Sequence, residues 1–209
     1  MAGNLELQLG GFFPNAGSGI FSDDSQLYDI GGRAVQKSDW QGWAGGIEYS
    51  GKVAPYFEVG VSLDAYGRTL RSSYLNYTNP DGSEIQQSLN FNEVPLGISF
   101  RVIPTSRHAV FAPFAEVGAD VIFYEYKEYG NFINFQSSNL AIYPDSFRSS
   151  GSAPGVHVGA GIRVRVGDDV SLVARYKYLF AHDTMGGAFN GDRIDLSGGL
   201  ATFGVNFRF

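Results

Sequence analysis

The stretch Val156-His157-Val158-Gly159-Ala160-Gly161-Ile162-Arg163-Val164-Arg165-Val166 decides the fold. Every second residue is apolar, and between them stand His157, Gly159, Gly161, Arg163 and Arg165. Successive side chains of an extended chain leave on opposite faces, so this is a strand with one apolar and one charged, glycine-rich face. The period recurs outward in both directions. Leu5, Leu7 and Leu9 alternate with Glu6 and Gln8; Trp43, Ile47 and Tyr49 with Ala44, Gly46 and Glu48; Phe57, Val59, Val61, Leu63 and Ala65 with Glu58, Gly60, Ser62, Asp64 and Tyr66. Val94, Leu96, Ile98, Phe100 and Val102 oppose Gly97, Ser99 and Arg101, and Ala115, Val117, Ala119, Val121 and Phe123 oppose Glu116, Gly118 and Asp120. Leu172, Ala174, Tyr176, Tyr178 and Phe180 oppose Arg175 and Lys177, and the last strand alternates from Ala201 to Phe209.

Eight strands leave seven connections, and their lengths alternate. Short ones fall near Ser50–Ala54, Ile103–Ala109 and Gly167–Asp169; long ones fall near Pro14–Asp39, Arg71–Ser88, Lys127–Ala153 and Ala181–Ile194. All long connections then lie at one end, opposite both termini. That asymmetry predicts an all-β fold: an eight-stranded antiparallel transmembrane up-and-down β-barrel with four long extracellular loops and three short periplasmic turns. Asn79-Pro80-Asp81-Gly82 predicts a hairpin tip that extends beyond the membrane. Leu89 and Phe91 have the opposite parity to Val94 and Leu96, which predicts a β-bulge near Glu93 and Pro95.

The polar row identifies the inside. A water-facing surface needs no charge matching, whereas ions in a narrow lumen carry a desolvation cost that pairing offsets. The inward row holds Glu6, Glu48, Glu58, Asp64, Glu93, Glu116 and Asp120 against Arg68, Arg101, Arg163, Arg165, Arg175, Lys177 and Arg208, seven acids facing seven bases. Interleaved glycines suit a crowded interior. Aromatic residues gather toward strand ends, Trp40, Trp43 and Tyr178 on the loop side and Tyr49, Phe57 and Phe111 on the turn side, as the two lipid interfaces favour. The soluble alternative is a barrel with its apolar row around a ligand.

Composition agrees. The 209 residues, read as one domain spanning 1–209, contain 28 Gly and 31 aromatic side chains, and only 17% are charged. This excludes a disordered chain. A net charge of −6 without basic clusters argues against nucleic acid as a partner. The absence of Cys accords with transit through an oxidising periplasm.

At the last strand, Leu200-Ala201-Thr202-Phe203-Gly204-Val205-Asn206-Phe207-Arg208-Phe209 resembles the C-terminal signal of bacterial outer-membrane proteins. Strand number, loop asymmetry and this ending together resemble the small eight-stranded barrels of the OmpA, OmpX, OmpW and opacity-protein type. The resemblance implies a monomer in the bacterial outer membrane, with outer-membrane lipid and lipopolysaccharide around it. It also implies that Val205, Phe207 and Phe209 are read by the barrel-assembly machinery. Met1-Ala2-Gly3 leads straight into the first strand without a signal peptide, which points to a mature chain.

Chemistry is sparse. Lipid A-modifying barrels combine His with Ser, or with Asp and Ser. Here His157 has Gly159 as its same-face neighbour and reads as a hydrogen-bonding group of the lumen, His182-Asp183-Thr184 reads as a solvated loop, and His108 has no partner motif. Asp23, Asp24 and Asp29 lack calcium-loop spacing and read as a polar loop. No catalytic residue, metal site or cofactor is predicted. The third long connection is aromatic and amide-rich: Tyr126, Tyr129, Phe132, Phe135, Tyr143 and Phe147 with Asn131, Asn134 and Asn139. These form either a recognition surface for an extracellular ligand or, as the preferred reading, a cap over the barrel mouth. The leading expectation is a non-enzymatic barrel with a charge-filled lumen and working surface loops; the alternatives are a narrow passive channel and a lipid A-modifying hydrolase.

Overall fold

The structure is a computed structural model that describes residues 3–17, 19–105, 109–138 and 140–209. Eight long strands follow in sequence: β1 (Gly3–Pro14), β2 (Gly42–Ala54), β3 (Phe57–Thr78), β4 (Glu84–Val102), β5 (Phe111–Ile133), β6 (Ile142–Arg165), β7 (Val170–Phe180) and β8 (Gly198–Arg208). Each pairs antiparallel with its sequence neighbours, and β8 returns to β1, where Leu7 lies between Val205 and Ile47. The ring is sealed at the termini: Gly3 N–H donates to Phe209 O at 2.9 Å and Phe209 N–H donates to Gly3 O at 3.0 Å.

Strand pairing carries the chain further than the alternation predicts. β2 continues through the expected turn at 50–54 and reverses only after Ala54. The expected loops at 71–88 and 127–153 are largely strand, because β3 to β6 run for 22, 19, 23 and 24 residues. About 9–11 residues cross a bilayer, so these four strands rise roughly ten residues, or about 33 Å, above it. The predicted hairpin tip is present, with Gly82 at φ 84° and its N–H donating to Asn79 O at 2.9 Å.

The expected bulge at Glu93 and Pro95 is absent: β4 keeps one register against β5 from Gln87 to Val102. What changes is the environment. Leu96, Ile98 and Phe100 point outward and are exposed, as lipid-facing residues are, whereas Leu89 and Phe91 point inward and are fully buried. On β5 the outward row turns from Val121 and Phe123 to Glu125 and Lys127, while Ile122 and Tyr126 are buried inward. The wall thus leaves lipid near Tyr124, and above that height the protein has the ordinary polarity of a water-soluble domain.

The apolar interior above the membrane is filled by the first and last connections. In the first, Ile20–Leu27 forms helix α1 where the sequence predicts a polar loop. Eight residues are too few to hold a helix alone. Packing supplies the stability: the Phe21 ring lies 5.1 Å from Trp40, 5.3 Å from Phe91 and 6.1 Å from Tyr126, edge to face. Gly19 at φ 62° starts the helix, and a side chain there would strike Arg193 O. Met185, Ile194 and Leu196 of the last connection complete the plug.

Candidate functional site

Two stacked regions occupy the barrel axis, a charged lumen below the plug and the plug itself. In the lumen, Glu58, Arg101 and Glu116 are direct cross-strand neighbours on β3, β4 and β5, and Glu6 faces Glu48 across β1 and β2. Arg101 Nη2 donates to Glu48 Oε1 at 2.8 Å and to Glu116 Oε2 at 2.7 Å, with Glu58 at 3.8 Å. Arg175 reaches from β7 to Glu6 at 2.6 Å and Glu48 at 2.7 Å, so it separates the two facing glutamates. The Phe114 ring lies under the Arg101 guanidinium at 4.4 Å and closes the layer with a cation–π contact. This layer is a bonded cross-brace over the full width of the barrel.

Above it, Lys177 Nζ donates to Asp64 Oδ2 at 2.5 Å, Gln8 Nε2 donates to Asp64 Oδ1 at 2.7 Å, and His157 Nδ1 lies 2.6 Å from Asp120 Oδ2. The glycine row makes room for these heads. A Cβ on Gly97 would lie 2.3 Å from Asp120 Oδ1, and one on Gly118 would lie 2.4 Å from the His157 ring, so the two glycines cradle one hydrogen-bonded pair. His157 thus takes the place expected for it.

Charge matching in the lumen is less complete than parity predicts. All seven acids are buried there, and Arg101, Arg163, Arg175 and Lys177 pair with them, while Arg68 and Arg208 lie elsewhere. Arg68 lies at the height where β3 leaves lipid and donates its Nε to Asp39 O at 2.9 Å; Arg208 is exposed at the barrel rim on Asp168 O. Arg165 is half-buried and donates to Ala109 O at 3.4 Å. Alternation fixes the face of a residue, not its height, and these three sit at the ends of the lumen. Glu93 is the converse case, buried with no hydrogen bond to either carboxylate oxygen among the described residues. Below the cross-brace a cavity of about 270 Å³ opens at the turn end, lined by Lys52, Glu58, Arg163, Arg165 and Asn206 among others.

The cap is not built as the sequence predicts. Of the six aromatic candidates, Tyr126 alone belongs to the plug core. Phe132 is buried against Phe147 at 4.8 Å, while Tyr129 and Tyr143 stay exposed on the strand extensions and Phe135 in the turn that joins them, with Lys127 5.0 Å from the Tyr129 ring. The plug uses α1, Trp40, Met185 and Ile194 instead, which a search by strand period passes over. Tyr66 donates its hydroxyl to Trp40 O and ties the plug to the wall. Asp24 belongs here too. It is buried, and its Oδ2 accepts from Tyr126 Oη at 2.7 Å. His182 is exposed beside Asp183, which accepts from Tyr124 Oη at 2.9 Å, and His108 and Asn139 lie outside the described residues. No group of three or more metal-ligating side chains occurs among the described residues.

Two carboxyls above the membrane have perturbed acidity, one exposed and one buried. The Arg33 guanidinium bonds both oxygens of Asp39, at 2.8 and 2.6 Å, and holds that carboxyl below its usual range. Burial raises Asp24 well above the carboxylate range, and facing Glu128 raises it further.

The architecture is shared with solved barrels. Outer membrane protein OprG of Pseudomonas aeruginosa is 11% identical, with 100% of this chain and 95% of that one covered and a TM-score of 0.56. Neisserial surface protein A is 12% identical, with 100% and 97% covered and a TM-score of 0.52. The outer membrane protease OmpT of Escherichia coli is 11% identical, with 100% and 97% covered and a TM-score of 0.50. At such identities the likeness is one of fold. No curated protein sequence matches the chain. The sequence profile of the outer membrane protein beta-barrel domain matches residues 7–209, and with a closed eight-stranded ring whose outward face is apolar this chain belongs to that family, in the bacterial outer membrane.

Proposed function

We propose that this barrel is a non-enzymatic outer-membrane protein with a closed lumen, acting as a monomer through its extracellular extensions in an interaction or structural role. The observation that carries the reading is the cross-brace of Arg101 and Arg175 over four glutamates, above which the aromatic plug fills the mouth. A solute would have to displace both. The exposed Tyr129, Phe135 and Tyr143 present rigid rings to an extracellular partner, and the lipid-facing wall takes outer-membrane lipid and lipopolysaccharide. Val205, Phe207 and Phe209, at the closing seam, serve the assembly machinery.

The passive-channel reading draws on one observation, the 270 Å³ cavity at the turn end, which would be the inner half of a path. A hydrolase would need an acid–base pair at a lipid-accessible mouth, and the Asp183 carboxylate beside His182 is held by Tyr124. Refolded protein in liposomes decides among the three. The closed, non-enzymatic reading expects no swelling with small sugars or amino acids and no change in the acyl chains of added lipid A by mass spectrometry. Swelling would establish the channel, and acyl release would establish the hydrolase.

A further inference from the structure

The plug contains a pair of carboxyl groups that the closed-lumen reading does not use. Asp24 of α1 and Glu128 of β5 are both buried and share one tyrosine: Tyr126 Oη lies 2.7 Å from Asp24 Oδ2 and 3.3 Å from Glu128 Oε1. Tyr28 Oη donates to Glu128 Oε2 at 2.8 Å. Tyr126 has a single hydroxyl proton, so it satisfies one carboxylate at a time, and no lysine or arginine forms an ion pair with either acid among the described residues. The other polar groups that act on the pair are Asp23 from α1, Asp192 from the last connection and Tyr74 from β3, the last through Tyr28. All are acids or phenols. The surrounding wall is Phe21, Trp40, Phe91 and Phe189. Two carboxylates without a cation in such a place cannot both stay ionised while the helix stays seated.

We propose that Asp24 and Glu128 form a proton-operated latch: one proton held between them keeps α1 in the barrel mouth, and its loss releases α1 and the first connection outward. The seating depends on few contacts. α1 is one short helix joined at Gly19, and its inward residues are Ile20, Phe21 and Asp24. Both carboxyls titrate above their ordinary range, chiefly through burial. The sign follows: a raised carboxyl stabilises the seated state at acidic pH, and that stabilisation is lost as pH rises from the ordinary carboxyl value through the raised one. The barrel below does not take part, since its strands close independently of α1.

The chain has two tryptophans, Trp40 in the plug and Trp43 on the lipid face, so Trp43→Phe leaves Trp40 as the reporter. In the refolded barrel, raising pH should shift Trp40 emission to the red and increase its quenching by acrylamide. The ratio of open to seated forms should grow about tenfold per pH unit, the slope of one proton. Asp24→Asn and Glu128→Gln should each abolish the transition and leave Trp40 shielded throughout. Tyr126→Phe takes the donor from the carboxylate that stays ionised in the seated state, so its midpoint should move downward; a merely structural hydroxyl would instead loosen the plug at every pH. The proposal fails if Trp40 stays equally shielded across the range in the parent protein. It also fails if Asp24→Asn opens at the same midpoint, or if Tyr126→Phe moves the midpoint up.

Discussion

Removing Arg101 should damage the barrel more than removing any other lumen cation. Its side chain is 1% exposed and serves three glutamates, Glu48, Glu58 and Glu116, within 3.8 Å. Arg101→Ala takes from those acids the one guanidinium they share, and breaking a buried pair by deleting one partner typically costs about 3–5 kcal/mol. Arg163 is the comparison. Its contacts to Glu58 are 3.4 Å long, and its side chain borders the open cavity, where water can take over, so Arg163→Ala should cost about 1–2 kcal/mol. The neutralised combination Arg101→Met, Glu48→Gln and Glu116→Gln should recover much of the loss, since a neutral packed replacement of an ion cluster is often tolerated. Urea unfolding in zwitterionic micelles, followed by tryptophan emission and by heat-modifiable gel mobility, measures all three. If Arg101→Ala unfolds within about 1 kcal/mol of the parent, or Arg163→Ala is the more damaging, the lumen is not held by the cross-brace and the ranking from burial is wrong.

Other outcomes follow from the same geometry. Gly118→Ala should destabilise by about 1–3 kcal/mol, because the new methyl would meet Ile98 O and the His157 ring; an unchanged urea midpoint would contradict the cradle. The Arg33–Asp39 clasp should respond to acid in the opposite sense to the latch. A lowered carboxyl contributes above its unfolded pKa, so the clasp should weaken as pH falls below about 4, seen as faster exchange of the Gln36 amide, which donates to Asp39 Oδ2. Deleting Phe209 should sharply lower outer-membrane yield in cells yet cost a refolded barrel no more than about 1.5–3 kcal/mol, the value of burying one Phe. Equal yields with and without Phe209 would remove its assembly role.

The membrane-embedded half is legible from alternation because lipid and lumen impose opposite demands on successive residues. Val158 and Ile162 face outward while His157 is buried inside, as the parity of 156–166 requires. The extracellular half follows the same two-residue period with the sides exchanged. Leu89 and Phe91 therefore look like a register slip when the chain simply leaves lipid. The plug is hidden for a different reason. α1 is too short to show a helical period, and Trp40 and Ile194 come from connections that carry no strand pattern. The charge row is read correctly for face and overstated in balance, since Arg68 and Arg208 lie beyond the heights at which a counter-ion is confined.

The closed axis is the claim on which the rest depends, and single-channel recording of the purified barrel in a planar bilayer at neutral pH tests it most directly. With Arg101 and Arg175 bonded across the lumen and α1 in the mouth, insertion should produce no steady stepwise conductance, at most brief and irregular openings. A uniform, long-lived conductance step in the parent protein would show a continuous water path past both layers and would contradict the closed lumen.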